Sequence, residues 1–297
     1  MKADFERLRL LVQRSGTIPA LPETASAIIR MIDQDEPSAR ELERLISRDS
    51  GLTAEILRMS SSGEHGLRHS GCTSIRSAIL RLGMRAVRNM ASATLVRQSF
   101  KLLSLPPKFD LVRFGRHSLA CAFLSRYVFS RLQKIRPFQS ELAADEVFAC
   151  GLLGDIGIGI LAHVSVGDYS RIEKFAERNG LTLSEAFEKL YSTPIDHLTA
   201  EALTVWKLDP LFVNIIKMMS TPWEAEDEYE TTCCLSYARS VLPALGFGYE
   251  SWKCESWAPP EVDAEIGIDR AELETVRELL QPRIDEYLDS VGLRIAA

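Results

Sequence analysis

The chain has 297 residues, of which 46% are hydrophobic, and a net charge of −6 that divides unevenly, +11 over residues 1–137 and −17 over residues 138–297. That is enough apolar material for one large core or two smaller ones, and the polarity of charge allows the halves to dock on each other or on a partner. No run of about 18 apolar residues and no signal-peptide core is apparent, and the six cysteines (Cys72, Cys121, Cys150, Cys233, Cys234, Cys254) form no CxxC pair, so a cytoplasmic protein with reduced, mostly buried thiols is expected.

Residues 5–14 place Phe5, Leu8, Leu11 and Val12 at amphipathic helical spacing. Ile18-Pro19-Ala20-Leu21-Pro22-Glu23 is a rigid lead-in whose last proline suits a first helical turn. Ala25, Ile28, Ile29 and Ile32 continue it. Ser38-Ala39-Arg40-Glu41 is a capping-box pattern for a helix with Leu42, Leu45 and Ile46 inward. Asp49-Ser50-Gly51 restarts the chain into Ile56, Leu57 and Met59. After a loop containing Gly63, His65, Gly66, His69 and Gly71, Thr73-Ser74 starts a helix through Ile75, Ile79 and Leu82, and the next runs from Met84 to Val96.

Leu105-Pro106-Pro107 reads as a joint, because proline blocks helix continuation; it divides the chain into lobes at 1–107 and 108–297. Phe109 to Phe129 is a helix or helix pair containing His117 and Cys121. Thr182-Leu183-Ser184-Glu185 is another capping box, Asp196 is the expected cap of the helix it opens, and Pro210 opens a further helix. Glu224 to Glu230 is an acidic run of the kind that forms a solvated helix start, followed by an apolar helix from Thr232 to Leu245. Trp252 and Trp257 lie in an irregular stretch, as a partner site or as cover for the core. Asp269 to Glu272 caps a closing helix with Leu273, Val276, Leu279, Leu280, Ile284 and Leu288 inward. No strand pattern of useful length occurs, so the expected fold is all-α, a two-lobed helical bundle.

Between these elements, Ala149 to Leu161 is apolar and glycine-rich with a single carboxylate, Asp155. Read as one helix it is mostly buried, and an ionised carboxylate there needs a partner. Gly151-Leu152-Leu153-Gly154-Asp155-Ile156-Gly157 resembles the "GLLHDIG" signature of the HD-domain metal-dependent phosphohydrolases, with Gly154 at the histidine position. The order of the segments beginning at Ile18, Ser38 and Thr73, followed by this altered signature, resembles the HDOD family, an HD-related output domain of bacterial signalling proteins. The resemblance covers roughly residues 16–220.

An HD site holds a divalent metal that polarises the phosphoryl group and lowers the pKa of an attacking water. By the resemblance, His117 falls at the first histidine, Gly154 replaces the second, and Asp155 matches the aspartate. The last acidic ligand would lie around Leu235 to Ala238, which offers no carboxylate, and Lys217-Met218-Met219-Ser220 stands where paired histidines occur. His117, Asp155 and His197 are the candidates able to reach a metal; a hydrolytic site usually keeps three protein ligands and an open position. The blander reading of His117 and Asp155 is a buried, hydrogen-bonded pair without metal. No GxSxG, HExxH or P-loop pattern is present.

Arg81, Arg85 and Arg88 lie at helical spacing, with Arg68, Arg76 and Arg97 nearby. They are a candidate partner-binding face, against the alternative of a solvated helix face. The resemblance thus implies a non-catalytic signalling module without cofactor. It would act in trans on a sensor kinase, response regulator or cyclic-dinucleotide enzyme, and would have room for a small ligand in an interlobe cleft. The alternatives are a divergent phosphohydrolase of nucleotides or cyclic dinucleotides and, as the less expected partner class, nucleic acid bound by the basic half.

Overall fold

The computed structural model describes residues 2–14, 16–18, 22–31, 38–61, 72–99, 103–252 and 257–290, and among these every long element is a helix and none is a strand. The fold is all-α. Several expectations fall outside the described residues: Pro19 to Leu21, Ile32, Gly63, Gly66, Gly71, His65, His69, Arg68 and Cys254, together with the side chains of Ile29, Met59 and Arg97.

Helices α2 (Glu23–Arg30), α3 (Ala39–Ser47), α4 (Ser50–Ser61), α5 (Ile75–Leu82) and α6 (Met84–Ser99) pack on one another. The polar residues ahead of them set their starts. Ser38 Oγ accepts from the Glu41 amide at 3.4 Å, and Ser74 and Ser77 cap reciprocally at 3.1 Å, satisfying amides that a first turn leaves open. Helix α1 (Lys2–Gln13) precedes this group in the chain but packs against α9 (Ile156–Val164), α11 (Leu183–Tyr191) and α12 (Asp196–Val205).

The centre of the larger body is α7 (Leu111–Ile135), one continuous helix whose start is capped by Asp110 Oδ1 on the Arg113 amide at 2.9 Å. Against it lies α8 (Ala144–Leu153), at a distance that only glycine permits: a Cβ on Gly151 would meet Ala122 Cα at 2.8 Å. Helices α10 (Val166–Asn179), α13 (Pro210–Lys217), α14 (Tyr229–Val241), α15 (Pro260–Ile266) and α16 (Arg270–Ser290) complete the bundle, with α14 and α16 on α7. On α16, Leu273, Val276, Leu280, Ile284 and Leu288 are buried as their spacing requires, but Leu279 is exposed, being off that stripe.

The single helix expected through Ala149 to Leu161 is two helices, α8 and α9, broken at Gly154-Asp155, where Asp155 sits at φ −103, ψ 11. The Ile158 amide bonds back to Asp155 O, three residues away, so Gly154 O loses its ordinary helical partner. Thr199, fully buried on α12, donates its Oγ1 hydrogen to Gly154 O (3.2 Å) and accepts from the Gly157 amide (3.1 Å). One hydroxyl from a neighbouring helix therefore satisfies both groups that the break releases. Residues 144–164 are, contrary to the sequence expectation, apolar and long enough to cross a membrane by composition, but 89% of that stretch is buried inside the protein.

Candidate functional site

The break between α8 and α9 turns Asp155 out of the helix line and toward α7. Its Oδ2 lies 3.0 Å from His117 Nε2, and His117 Nδ1 lies 3.1 Å from the carbonyl of Phe247. The Phe247 carbonyl can only accept, so Nδ1 carries a hydrogen, and opposite an ionised Asp155 Nε2 carries the other, as in an imidazolium. The electrostatics agree: burial opposes the charge, but the hydrogen bond and charge of Asp155 outweigh it and hold the His117 pKa above its ordinary value. Asp155, whose burial alone would raise its pKa, is held below the carboxylate range by His117 and Arg239.

Arg239 comes from α14 and Asp196 from the start of α12. The guanidinium meets Asp196 with two bonds, Nη1 to Oδ1 at 2.5 Å and Nη2 to Oδ2 at 3.2 Å. Nη2 also donates to Ser220 Oγ at 2.8 Å, and Nη1 lies 3.6 Å from Asp155 Oδ1. Asp196 accepts in addition from the Ser220 amide at 2.7 Å. The expected capping role for Asp196 is corrected here: it is the first residue of its helix and makes no cap bond to it, because its carboxylate is engaged by Arg239. Two carboxylates and two cations thus form a buried, formally neutral quartet. The sequence reading missed Arg239. The signal was a lone charge inside the apolar run from Thr232 to Leu245, which has to be paired when buried.

Three of the quartet, His117, Asp155 and Arg239, line a cavity of about 280 Å³, whose lining also includes Glu188, Trp223, Glu250 and Trp257. All of its lining residues lie between 117 and 259. The cleft at His117 and Asp155 is therefore within the larger body and not between lobes, which corrects the expected interlobe position.

The HDOD domain model matches residues 18–222. The chain belongs to the HDOD family. Solved structures share the fold at low identity. An HDOD domain protein of unknown function from Geobacter sulfurreducens is 19% identical with a TM-score of 0.63, the match covering 97% of both chains. A candidate signal transduction protein from Marinobacter aquaeolei VT8 is 20% identical with a TM-score of 0.66, covering 98% of this chain and 65% of that longer one. A candidate phosphohydrolase from Shewanella amazonensis SB2B is 20% identical with a TM-score of 0.63, covering 96% and 95%. No curated protein matches.

As an HDOD chain this protein is related to the HD phosphohydrolases, so the fit of a divalent metal can be tested on the donors present. Both ring nitrogens of His117 are already engaged, Nε2 by Asp155 and Nδ1 by the Phe247 carbonyl. At Gly154 a side chain would start 2.9 Å from Sδ and Cε of Met219, so the space of the missing histidine is filled by that thioether. Arg239 stands three residues beyond Ser236, on the helix expected to supply the last acidic ligand, and brings a positive charge to Asp155. Among the described residues no three His, Cys, Asp or Glu side chains gather as a metal-binding group. The donor set does not fit the metal.

His197 is not brought to this site. It packs edge-on against Phe5 with centroids 6.2 Å apart, lining a separate cavity of about 980 Å³ beside α1, α12 and α13. Burial and then Lys217 lower its pKa. The arginine face is also corrected. Arg81 is exposed, but Arg88 is buried with Nη2 3.3 Å from Asp209 Oδ2. Arg85 Nε lies 3.1 Å from the buried Glu146 Oε1 and also donates to the Glu141 carbonyl. Asn89 joins them, Nδ2 to Glu146 Oε1 at 3.0 Å. The stripe is therefore split: Arg81 on α5 and Arg85 on α6 stay exposed, Arg85 reaching Glu146 of α8, while Arg88 turns inward to Asp209 ahead of α13.

Proposed function

We propose that this HDOD chain is a non-catalytic regulatory module of bacterial signalling that works by binding partner proteins in the cytoplasm. The observation that carries the reading is the Arg239 guanidinium beside Asp155. With His117 protonated and Gly154 opposite Met219, the carboxylate that would hold a metal is neutralised by the protein's own cations. A phosphoryl-transfer site needs an activated water and an electrophile, and the residues present supply neither. The signal transduction description of the Marinobacter relative agrees with this role; the expected partner class is a sensor kinase, a response regulator or a cyclic-dinucleotide enzyme.

The test is elemental analysis of untagged protein together with hydrolysis assays on bis-p-nitrophenyl phosphate and cyclic dinucleotides, for the native chain and for Asp155→Ala. The expected result is far less than one metal ion per chain and no turnover above buffer. About one tightly held iron, manganese or zinc per chain, or turnover that Asp155→Ala abolishes, overturns the proposal in favour of a phosphohydrolase.

A further inference from the structure

The cavity beside the quartet has an electrostatic character that a phosphoester site lacks. Its two cations, His117 and Arg239, are both bound to carboxylates. What remains toward the open space is acidic: the Glu188 carboxylate makes no hydrogen bond or ion pair among the described residues, and the Glu250 carboxylate accepts from backbone amides, Leu183 at 2.8 Å among them, with no cation bound to it. Asp155, 2% exposed, closes the inner wall with an Oδ1 that has no hydrogen bond, its nearest cation being Arg239 Nη1 at 3.6 Å. A buried acceptor in this state lacks an N–H donor. At the outer wall Trp223 is 53% exposed, an indole face open at the mouth of an acidic cavity.

An anion entering here would meet the Glu188 and Glu250 carboxylates and no free positive partner. An alkylammonium group gains on every count, through charge-assisted hydrogen bonds to carboxylates and through the face of tryptophan, the aromatic ring that attracts cations best. We propose that this cavity binds a small organic cation, an alkylammonium group whose N–H donors face Glu188 and Glu250 and whose carbon chain lies against Trp223. Burial and then the negative charge of Asp196 raise the pKa of Glu188, and burial raises that of Glu250, a strain that a bound cation relieves. The inference shares with the proposed function the engagement of His117 and Arg239 by carboxylates, but fails separately: metal content and hydrolysis decide that reading, amine binding this one.

The experiment is isothermal titration of the full chain at low salt with 1,4-diaminobutane, and with 1-butanol and inorganic phosphate as controls. Glu188→Gln and Trp223→Ala are the variants; both residues are exposed, so the fold tolerates the changes. The expected result is saturable diamine binding with Kd below about 1 mM, weakened at least about fivefold in each variant, and no binding of butanol or phosphate. Weaker native binding, a smaller change in either variant, or binding of butanol or phosphate overturns the proposal. Nα-acetyl-lysine amide in the same titration separates the sources: binding equal to the diamine identifies a protein lysine side chain, and binding of the diamine alone a free amine.

Discussion

Asp155 is held by two cations with different behaviour. His117 can lose its proton, whereas a guanidinium stays charged at any pH the protein survives. The His117 pKa is raised in the folded state, so its stabilisation is complete below the ordinary value of 6.5 and is lost as pH rises through the raised folded value. Asp155 is lowered, so its contribution is present above the ordinary value of 3.8 and is lost as pH falls through the lowered one. Urea unfolding across pH 5 to 9 should therefore show stability declining on the alkaline side, and His117→Gln should flatten that limb. Arg239→Met leaves two buried carboxylates facing each other and should cost about 3–5 kcal/mol, measured by the same unfolding at pH 7. Arg239→Lys should recover only part of that, because a point ammonium cannot reproduce the paired contact with Asp196.

At the scale of elements, the glycines of the central segment separate by what surrounds them. A Cβ on Gly157 would meet Thr199 Oγ1 at 2.4 Å and the Thr199 amide nitrogen at 3.0 Å; on Gly151 it would meet α7 backbone. On Gly154 its close contact would be the flexible end of Met219, with Cys150 O at an ordinary 3.6 Å. Gly157→Ala and Gly151→Ala should each destabilise by about 1–3 kcal/mol, while Gly154→Ala should be close to neutral, since alanine's helical preference offsets the small shift. Thermal unfolding of the three variants gives the order directly. A larger loss at Gly154 than at Gly157 would mean that close packing also requires glycine at Gly154, and that Met219 cannot yield to a Cβ.

For the whole molecule, the uneven charge of the sequence is resolved inside the fold. Arg7 pairs with Asp168, Arg85 with Glu146, Arg88 with Asp209, Arg126 with Asp145, Arg131 with Glu272 and Arg136 with Glu265, each joining the basic half to the acidic one. The exposed pairs among them contribute little singly. The Glu146 contact is different because the carboxylate is buried, 1% exposed, and receives Arg85, Asn89 and the Ala143 amide. Glu146→Ala should cost about 1–3 kcal/mol, and hydrogen exchange should rise in α6 while α10 to α12 keep their protection. Uniform loosening of all helices would instead mean that the contact supports the global fold and not the docking of α6.

Helices were legible because capping residues and apolar spacing are local: Ser38, Ser74, Thr182 and Asp269 each act within a few residues of themselves. The family was legible for the same reason, through the order of segments around Gly154-Asp155, as was the pairing of His117 with Asp155. The break at Asp155 was not, because Thr199, forty-odd residues away, satisfies the released backbone groups. Nor were the roles of Asp196 and Arg239, read from the sequence as a cap and not read at all. Nor were the pairing of Arg85 with Glu146 and the burial of Arg88, whose helical spacing fits a free face equally well. Composition and short-range pattern determined an all-helical chain with a carboxylate in its core. Which cations neutralise that carboxylate depends on helices distant in sequence converging, and only tertiary packing decides that.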